Sequence, residues 1–252
     1  MINTVIFDMG GTIEDIWYTD ETTRNAWEKV LAILNAHNLD PKCPLEEFGP
    51  KLMEGIKEYK KLSESEMIEY KPEQIWPEYY LAAFDLDKEA LKACSEELAG
   101  MWEVTYYHRE LRPHVKEMLT KLKELGYRIS VISNTASIYS VFDVLEEYEI
   151  RDFMEDVTLS SVTGYRKPNT EIFKIALREM RCRPEECCYV GDTISRDIIG
   201  ATRAGFGKTV KIESFLSNKK DKDVKNLVQP DFVVKDLMEL VDFLENLKKN
   251  HN

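Results

Sequence analysis

The apolar run Val5-Ile6-Phe7 ends at Asp8 and is followed by Gly10-Gly11. An unbroken apolar run suits a strand buried on both faces, here delivering an acid to a tight turn. From roughly residue 20 to residue 107 the pattern becomes helical and contains no convincing strand. Trp27, Val30, Leu31 and Leu34 fall at i, i+3, i+4 and i+7, and Leu91, Cys94, Leu98 and Met101 repeat that spacing. All four tryptophans, Trp17, Trp27, Trp76 and Trp102, lie in or beside this stretch. Their size and placement favour the core of a small helical domain over an aromatic binding cage.

From Leu111 the pattern alternates between helix and strand. Val115, Met118, Leu119, Leu122 and Leu125 form one apolar face after Pro113, and Gly126 ends it. Arg128–Ser133 reads as a strand, followed by a helix to about Tyr148 and a strand reaching Ser160 or Ser161. Ile172, Phe173, Ala176, Leu177 and Met180 mark a further helix. Cys187–Val190 reads as a strand ending at Gly191-Asp192, and Ile194–Ala204 as a helix stopped by Gly205. Lys208–Ile212 and Phe232–Val234 are short strands. A last helix starts at Asp236, with Glu239 as capping partner. The run from Lys219 to Lys225 reads as a solvated charged tract.

Strands alternating with helices imply right-handed crossovers and a parallel sheet. The first strand belongs with the later ones, which makes the helical stretch an insertion. The expected division is an α/β core over residues 1–19 and 108–252 with a helical domain over 20–107. In such sheets ligands bind beyond the carboxyl ends of the strands. Asp8, Ser133 and Asp192 each stand at such an end.

Charge and composition narrow the field. The 252 residues carry a net charge of −12, with 43% hydrophobic and 32% charged positions. The acidic balance argues against nucleic acid or an anionic membrane surface as partner. It leaves room for a small phosphorylated ligand, because a metal and a few cations can dominate one pocket. Five cysteines without paired Cys-x-x-Cys units read as reduced thiols of a cytoplasmic protein rather than a zinc site. The chain opens almost directly on a strand, so no signal peptide is expected, and no apolar run approaches the ~20 residues a membrane helix needs. Nothing in the sequence fixes the oligomeric state.

Four separated segments carry the chemistry. They are FDMGGT with Asp8, VISNT with Ser133 and Asn134, GYRKP with Lys167, and GDTISRD with Asp192 and Asp197, running on into IGATRAG. In this order and on these elements the chain resembles the haloacid-dehalogenase-like hydrolase superfamily, in the subfamily with a helical cap inserted after the first strand. The resemblance covers nearly the whole chain. It implies a Rossmann-like parallel core, a cap over residues 20–107, Mg²⁺ as cofactor and a small phosphorylated metabolite as substrate.

The residue types suit that chemistry. Asp8 can attack phosphorus to give an aspartyl-phosphate, and the glycines after it let a phosphate approach backbone amides. The carboxylates of Asp8 and Asp192, with the carbonyl of Gly10, can ligate Mg²⁺. The Ser133 hydroxyl and the Asn134 backbone N–H, at the start of a helix, can hold phosphate oxygens. Lys167 supplies positive charge between nucleophile and phosphate, and Asp197 orients the other groups from behind. One position departs from the superfamily's phosphatases. They carry a second aspartate two residues after the nucleophile as general acid and base, a function typically worth ~10²–10⁴ in rate. Here that position is Gly10, which implies low activity unless another group serves. Relatives with other residues there include haloacid dehalogenases, which work without metal and fit the intact GDTISRD poorly, and phosphonoacetaldehyde hydrolases, which form an imine on a cap lysine. The helical stretch holds Lys29, Lys42, Lys51 and Lys57, each most simply a solvated charge. The expected function is therefore a phosphohydrolase acting through Asp8, with phosphonate C–P cleavage or ligand binding without turnover as alternatives.

Overall fold

The computed structural model describes residues 1–214, 217, 221 and 228–249. Strand β1 (Thr4–Phe7) is followed by β2 (Glu14–Trp17) and then by helices α1 (Asp20–Ala36), α2 (Leu45–Glu66), α3 (Pro72–Ile75), which runs into a π turn, and α4 (Lys88–Thr105). Strand β3 (His108–Leu111) leads to α5 (Val115–Glu124), β4 (Arg128–Ser133), α6 (Ser140–Glu147), β5 (Asp156–Leu159), α7 (Ser160–Thr163) and α8 (Thr170–Glu179). The chain ends with β6 (Cys187–Gly191), a π turn (Ile194–Ile198) continuing into α9 (Ile199–Arg203), β7 (Lys208–Ile212), β8 (Phe232–Val234) and α10 (Met238–Lys249).

Six strands form one parallel sheet in the order β5-β4-β1-β6-β7-β8. The apolar run of β1 is therefore central and wholly buried. Its side chains alternate between two cores, as the two-residue period of a strand requires. Val5 and Phe7 join Val131, Val190, Leu119, Leu145 and Leu244 on the face covered by α5, α6 and α10. Ile6 joins Ile132, Tyr189, Phe173 and Ala201 on the face covered by α8 and α9. Gly200 permits the second packing, since a Cβ there would overlap the Phe173 ring.

The helical stretch has its own core. Val30, Leu34, Phe48, Leu52, Trp76 and Leu98 are among its fully buried members. Trp102 is buried with them and Trp27 is half-buried against them. Trp17 is a correction to the tryptophan reading. It lies on β2 with its ring against His108, 4.1 Å between centroids. Both residues belong to an antiparallel pair, β2 with β3, that the sequence pattern did not reveal. Each strand has four residues with charges among them, so neither offers an apolar alternation. This ribbon carries the chain from the sheet into the helices and back.

Two further attachments tie the helices to the sheet. The Glu69 N–H donates to the Gly164 carbonyl at 2.9 Å, and the Arg166 N–H to the Met67 carbonyl at 3.1 Å. The buried Glu69 carboxylate accepts from Tyr59 at 2.5 Å and Ser160 at 2.9 Å, and pairs with Arg166. On α4, Glu96 accepts from the Ser137 hydroxyl at 2.6 Å and the Ile138 N–H at 3.0 Å. The tract from Lys219 to Lys225 falls outside the described residues except for Asp221. That residue is buried and accepts from the N–H groups of Ile194 and Ser195.

Removing one member of a buried ion pair leaves the other charge desolvated. Arg166→Met should therefore destabilise the protein by about 3–5 kcal/mol. Urea unfolding with an unchanged midpoint would show that Glu69 is held adequately by its two hydroxyl donors.

Candidate functional site

The topology brings the carboxyl ends of β1, β4 and β6 side by side, and with them Asp8, Ser133 and Asp192. Lys167 arrives from the loop before α8. Its ammonium lies 2.5 Å from Asp8 Oδ1, 2.7 Å from Asp197 Oδ1, 3.0 Å from the Tyr189 hydroxyl and 3.1 Å from the Ile132 carbonyl. All these residues are buried. The second oxygen of Asp197 accepts from the Thr193 N–H at 3.0 Å and the Thr193 hydroxyl at 2.5 Å. Asp197 is thus occupied on both oxygens and serves as an anchor for Lys167 and for the turn after β6.

The electrostatics follow from burial and charge. Burial alone would drive the Lys167 ammonium down, but Asp197 and Asp8 override it and hold it above the ordinary lysine range. Burial also pushes Asp197 up, yet Lys167 and Arg196 outweigh it and bring the carboxyl down to about 2. Asp8 is raised, because burial exceeds the opposing pull of Lys167. Among the described residues no cation pairs with Asp192, and Arg196 opposes its shift only from a distance. Burial and the charges of Asp197 and Asp8 push it up to about 7.

A divalent cation fits these acids. Asp8, Asp192 and Asp197 each offer an oxygen within 4.8 Å of the others. Ser214 donates to one oxygen of Asp192, while Asp192 Oδ1 is buried without a hydrogen-bond partner among the described residues. An unpartnered carboxylate oxygen beside further acids suits a hard cation with oxygen ligands. Gly11 makes this approach possible. Its φ is +92°, and a Cβ there would fall 2.8 Å from the Asp192 carboxyl carbon.

Asn134 plays a different structural part from the helix start expected of it. The helix α6 begins only at Ser140, because residues 134–139 have partners of their own. The Thr135 N–H donates to the Ser160 hydroxyl, and the N–H groups of Ile138 and Tyr139 donate to Glu96. The Asn134 side chain accepts from the Lys167 N–H at 2.9 Å and donates to the Lys167 carbonyl at 3.2 Å. It fixes the backbone that aims Lys167 at Asp8.

Sequence reasoning missed a second set of buried polar groups. Glu14 on β2 is fully buried. It pairs with Arg109 of β3 and accepts from the Tyr148 hydroxyl at 3.0 Å. Burial raises its carboxyl despite Arg109, and the charge of Asp8 adds to the shift. Arg109 also holds Glu103 at 3.1 Å. The available signal was a glutamate in the run GGTIEDIW, close to Asp8 and unexplained by any turn. Arg109 and Tyr148 also line a cavity of about 300 Å³ with Asn25, Lys29, Tyr107 and His108. Lys29, Lys42, Lys51 and Lys57 are all exposed. All five cysteines carry free thiols, three of them buried. Among the described residues no helix is long and apolar enough to cross a membrane.

Comparison with known proteins agrees with this geometry. The chain is 35% identical over 152 residues to a glyceraldehyde 3-phosphate phosphatase of Methanothermobacter thermautotrophicus, a match spanning 58% of this chain and 66% of that enzyme. It is 31% identical to a glyceraldehyde 3-phosphate phosphatase of Pyrococcus abyssi, over 83% of this chain and 81% of its relative. Among solved structures, a 2-haloacid dehalogenase from Pseudomonas syringae pv. Tomato superposes over 98% of this chain and 100% of its own, with a TM-score of 0.67 and 19% identity, a likeness of fold. The family described as haloacid dehalogenase-like hydrolase matches residues 2–205, and with the sheet order and the acids at its carboxyl edge this makes the chain a member of the haloacid dehalogenase-like hydrolases.

Proposed function

We propose that this hydrolase is a Mg²⁺-dependent phosphatase that moves the phosphoryl group of a small metabolite first to Asp8 and then to water. The observation that carries the reading is the buried Asp8 carboxylate, tied to Lys167 and near an Asp192 oxygen that has no partner among the described residues. Relatives named for phosphatase action on a small phosphorylated compound support it. Asp8 and Asp192 are the residues that would hold Mg²⁺. When bound, the ion neutralises charge on the phosphoryl oxygens and on the two carboxylates.

The chain's own groups do the rest. Asp8 attacks phosphorus as the ester P–O bond breaks, giving an aspartyl-phosphate. Lys167 offsets the repulsion between the carboxylate and the phosphoryl oxygens. The Ser133 hydroxyl and the Asn134 N–H receive phosphoryl oxygens at the end of β4. Water then releases phosphate and restores Asp8. The helical unit over residues 20–107 acts as a cap on the core of residues 1–19 and 108–252, excluding bulk water and choosing the leaving group.

Two tests bear on this reading. Asp8→Asn should lower phosphate release by on the order of 10⁴–10⁶-fold. Assays should use Mg²⁺ with a panel of phosphorylated metabolites that includes glyceraldehyde 3-phosphate. Heat stabilisation by phosphate esters without any phosphate release from the wild type would overturn the catalytic reading.

The second test concerns pH. Asp192 stands at about 7 against an ordinary 3.8, so between these values the folded state binds more protons than the unfolded one. Its contribution to stability therefore declines as pH rises through that window. A cation at Asp192 replaces the proton and removes this penalty. Mg²⁺ should raise Tm more at about pH 8 than at about pH 5.5. Calorimetry giving equal shifts at both values would remove Asp192 from the metal site. Asp197, at about 2, acts in the opposite sense, and its stabilisation is lost only as pH falls from about 4 toward 2.

A further inference from the structure

The aspartyl-phosphate reading leaves two protons without a carrier. The leaving oxygen needs one, and the attacking water must give one up. Gly10 has no side chain for this, and Lys167 is committed to Asp8 and Asp197. The space beside Gly10 is not empty of acid, however. A Cβ built on Gly10 would lie 3.7 Å from Glu14 Oε1 and 2.9 Å from Ile16 Cδ1. Glu14 therefore brings its carboxylate, from a different strand, to the place that a side chain at position 10 would enter.

The local backbone makes this placement specific. Met9 to Glu14 forms a compact turn in which the Gly11 N–H donates to the Glu14 carbonyl at 2.8 Å and the Ile13 N–H to the Met9 carbonyl at 2.9 Å. Gly10 and Glu14 form a bridge across it. The residue that follows Asp8 by six in sequence is thereby folded back against the nucleophile's own loop. Arg109 holds Oε1 of Glu14 and the Tyr148 hydroxyl donates to Oε2. Each carboxylate oxygen has two lone pairs, so both retain capacity for a further partner. Arg109 and Tyr148 in turn line the cavity of about 300 Å³ between α1, β3 and α6, which gives their side of the network contact with solvent.

Resting on the phosphatase reading above, we propose that Glu14 is the general acid and base of this enzyme, replacing a function that Gly10 cannot perform. In the first step the Asp8–phosphorus bond forms, the ester bond breaks, and the Glu14 proton passes to the leaving oxygen to give an alcohol. In the second step water attacks phosphorus, the Asp8–phosphorus linkage breaks, and the water proton passes to Glu14. Ester and water have then become alcohol and phosphate, and both carboxyl groups are restored. A buried glutamate paired with arginine is equally a structural device, so the test must separate proton transfer from folding.

Glu14→Gln keeps the side chain's length, can still accept from Arg109 through its amide oxygen and can donate its amide N–H to the Tyr148 hydroxyl, but loses the negative charge and the ability to carry the proton. With an activated aryl phosphate, whose leaving group needs no acid, rapid-quench intact-mass spectra should show Asp8 phosphorylated at close to the wild-type rate. Release of phosphate from that species should slow by roughly 10²–10⁴-fold. With an alkyl phosphate both steps should slow. Glu14→Asp, which withdraws the carboxylate by one methylene, should fall between. Gly10→Asp combined with Ile16→Val and Glu14→Gln returns a carboxylate by the other route and should recover part of the loss, which repair of packing alone cannot do. Dephosphorylation of the Glu14→Gln enzyme at the wild-type rate would overturn the assignment. So would equal loss of both steps with the aryl ester and no recovery in the combined variant, which is the signature of a structural role. Absence of any phospho-Asp8 or released phosphate in the wild type would instead overturn the phosphatase reading, and this inference with it.

Discussion

The buried ammonium of Lys167, shared between Asp8 and Asp197, is the contact around which the site is organised. Three carboxylates cannot be withdrawn from water together without compensation. Lys167 compensates two of them, and the price is a chain of further supports. Asn134 grips its backbone, the Tyr189 hydroxyl approaches its ammonium, and Thr193 fixes the far side of Asp197. Asn134 follows β4, Tyr189 lies within β6, and Thr193 is on the turn that leaves β6. The sheet order is thus a requirement of the charge arrangement, because only adjacent β4, β1 and β6 bring these edges together. Asp192 is the acid left over, with one oxygen unpartnered among the described residues and its carboxyl pushed up to about 7.

The helical unit is bound to this core more firmly than two connecting strands require. Beyond the β2–β3 ribbon, Glu69 reaches Ser160 and Arg166, next to Lys167, and Glu96 caps the loop that follows Ser133. Both contacts engage loops that carry site residues. Movement of the helices and alignment of Lys167 and Ser133 are therefore mechanically connected.

Most of the sheet and the acids at its edge were legible from the sequence. The runs VIF, RISVIS and CCYV stand at β1, β4 and β6 because strands buried on both faces must be apolar throughout. Asp8, Ser133 and Asp192 were visible as polar residues ending such runs. Other parts were hidden for physical reasons. β2 and β3 have four residues each, and their stability comes from pairing with one another across the whole helical insertion. The late start of α6 depends on Glu96, a side chain from another part of the fold. The burial of Glu14 left no local signature because its partners, Arg109 and Tyr148, are 95 and 134 residues away. Local pattern reports local burial. It does not report a buried charge whose counterparts are assembled only by the tertiary structure.

On the proposed function, Asp8 and Asp192 hold one divalent cation while Lys167 stays paired with Asp8 and Asp197. Anomalous diffraction from crystals grown with Mn²⁺, an oxygen-seeking substitute for Mg²⁺, addresses it directly. A single strong peak is expected, bounded by the carboxylates of Asp8 and Asp192, with the Lys167 ammonium still in contact with Asp8 and Asp197. A peak elsewhere, or an empty site with Asp192 turned to a new protein partner, would contradict it.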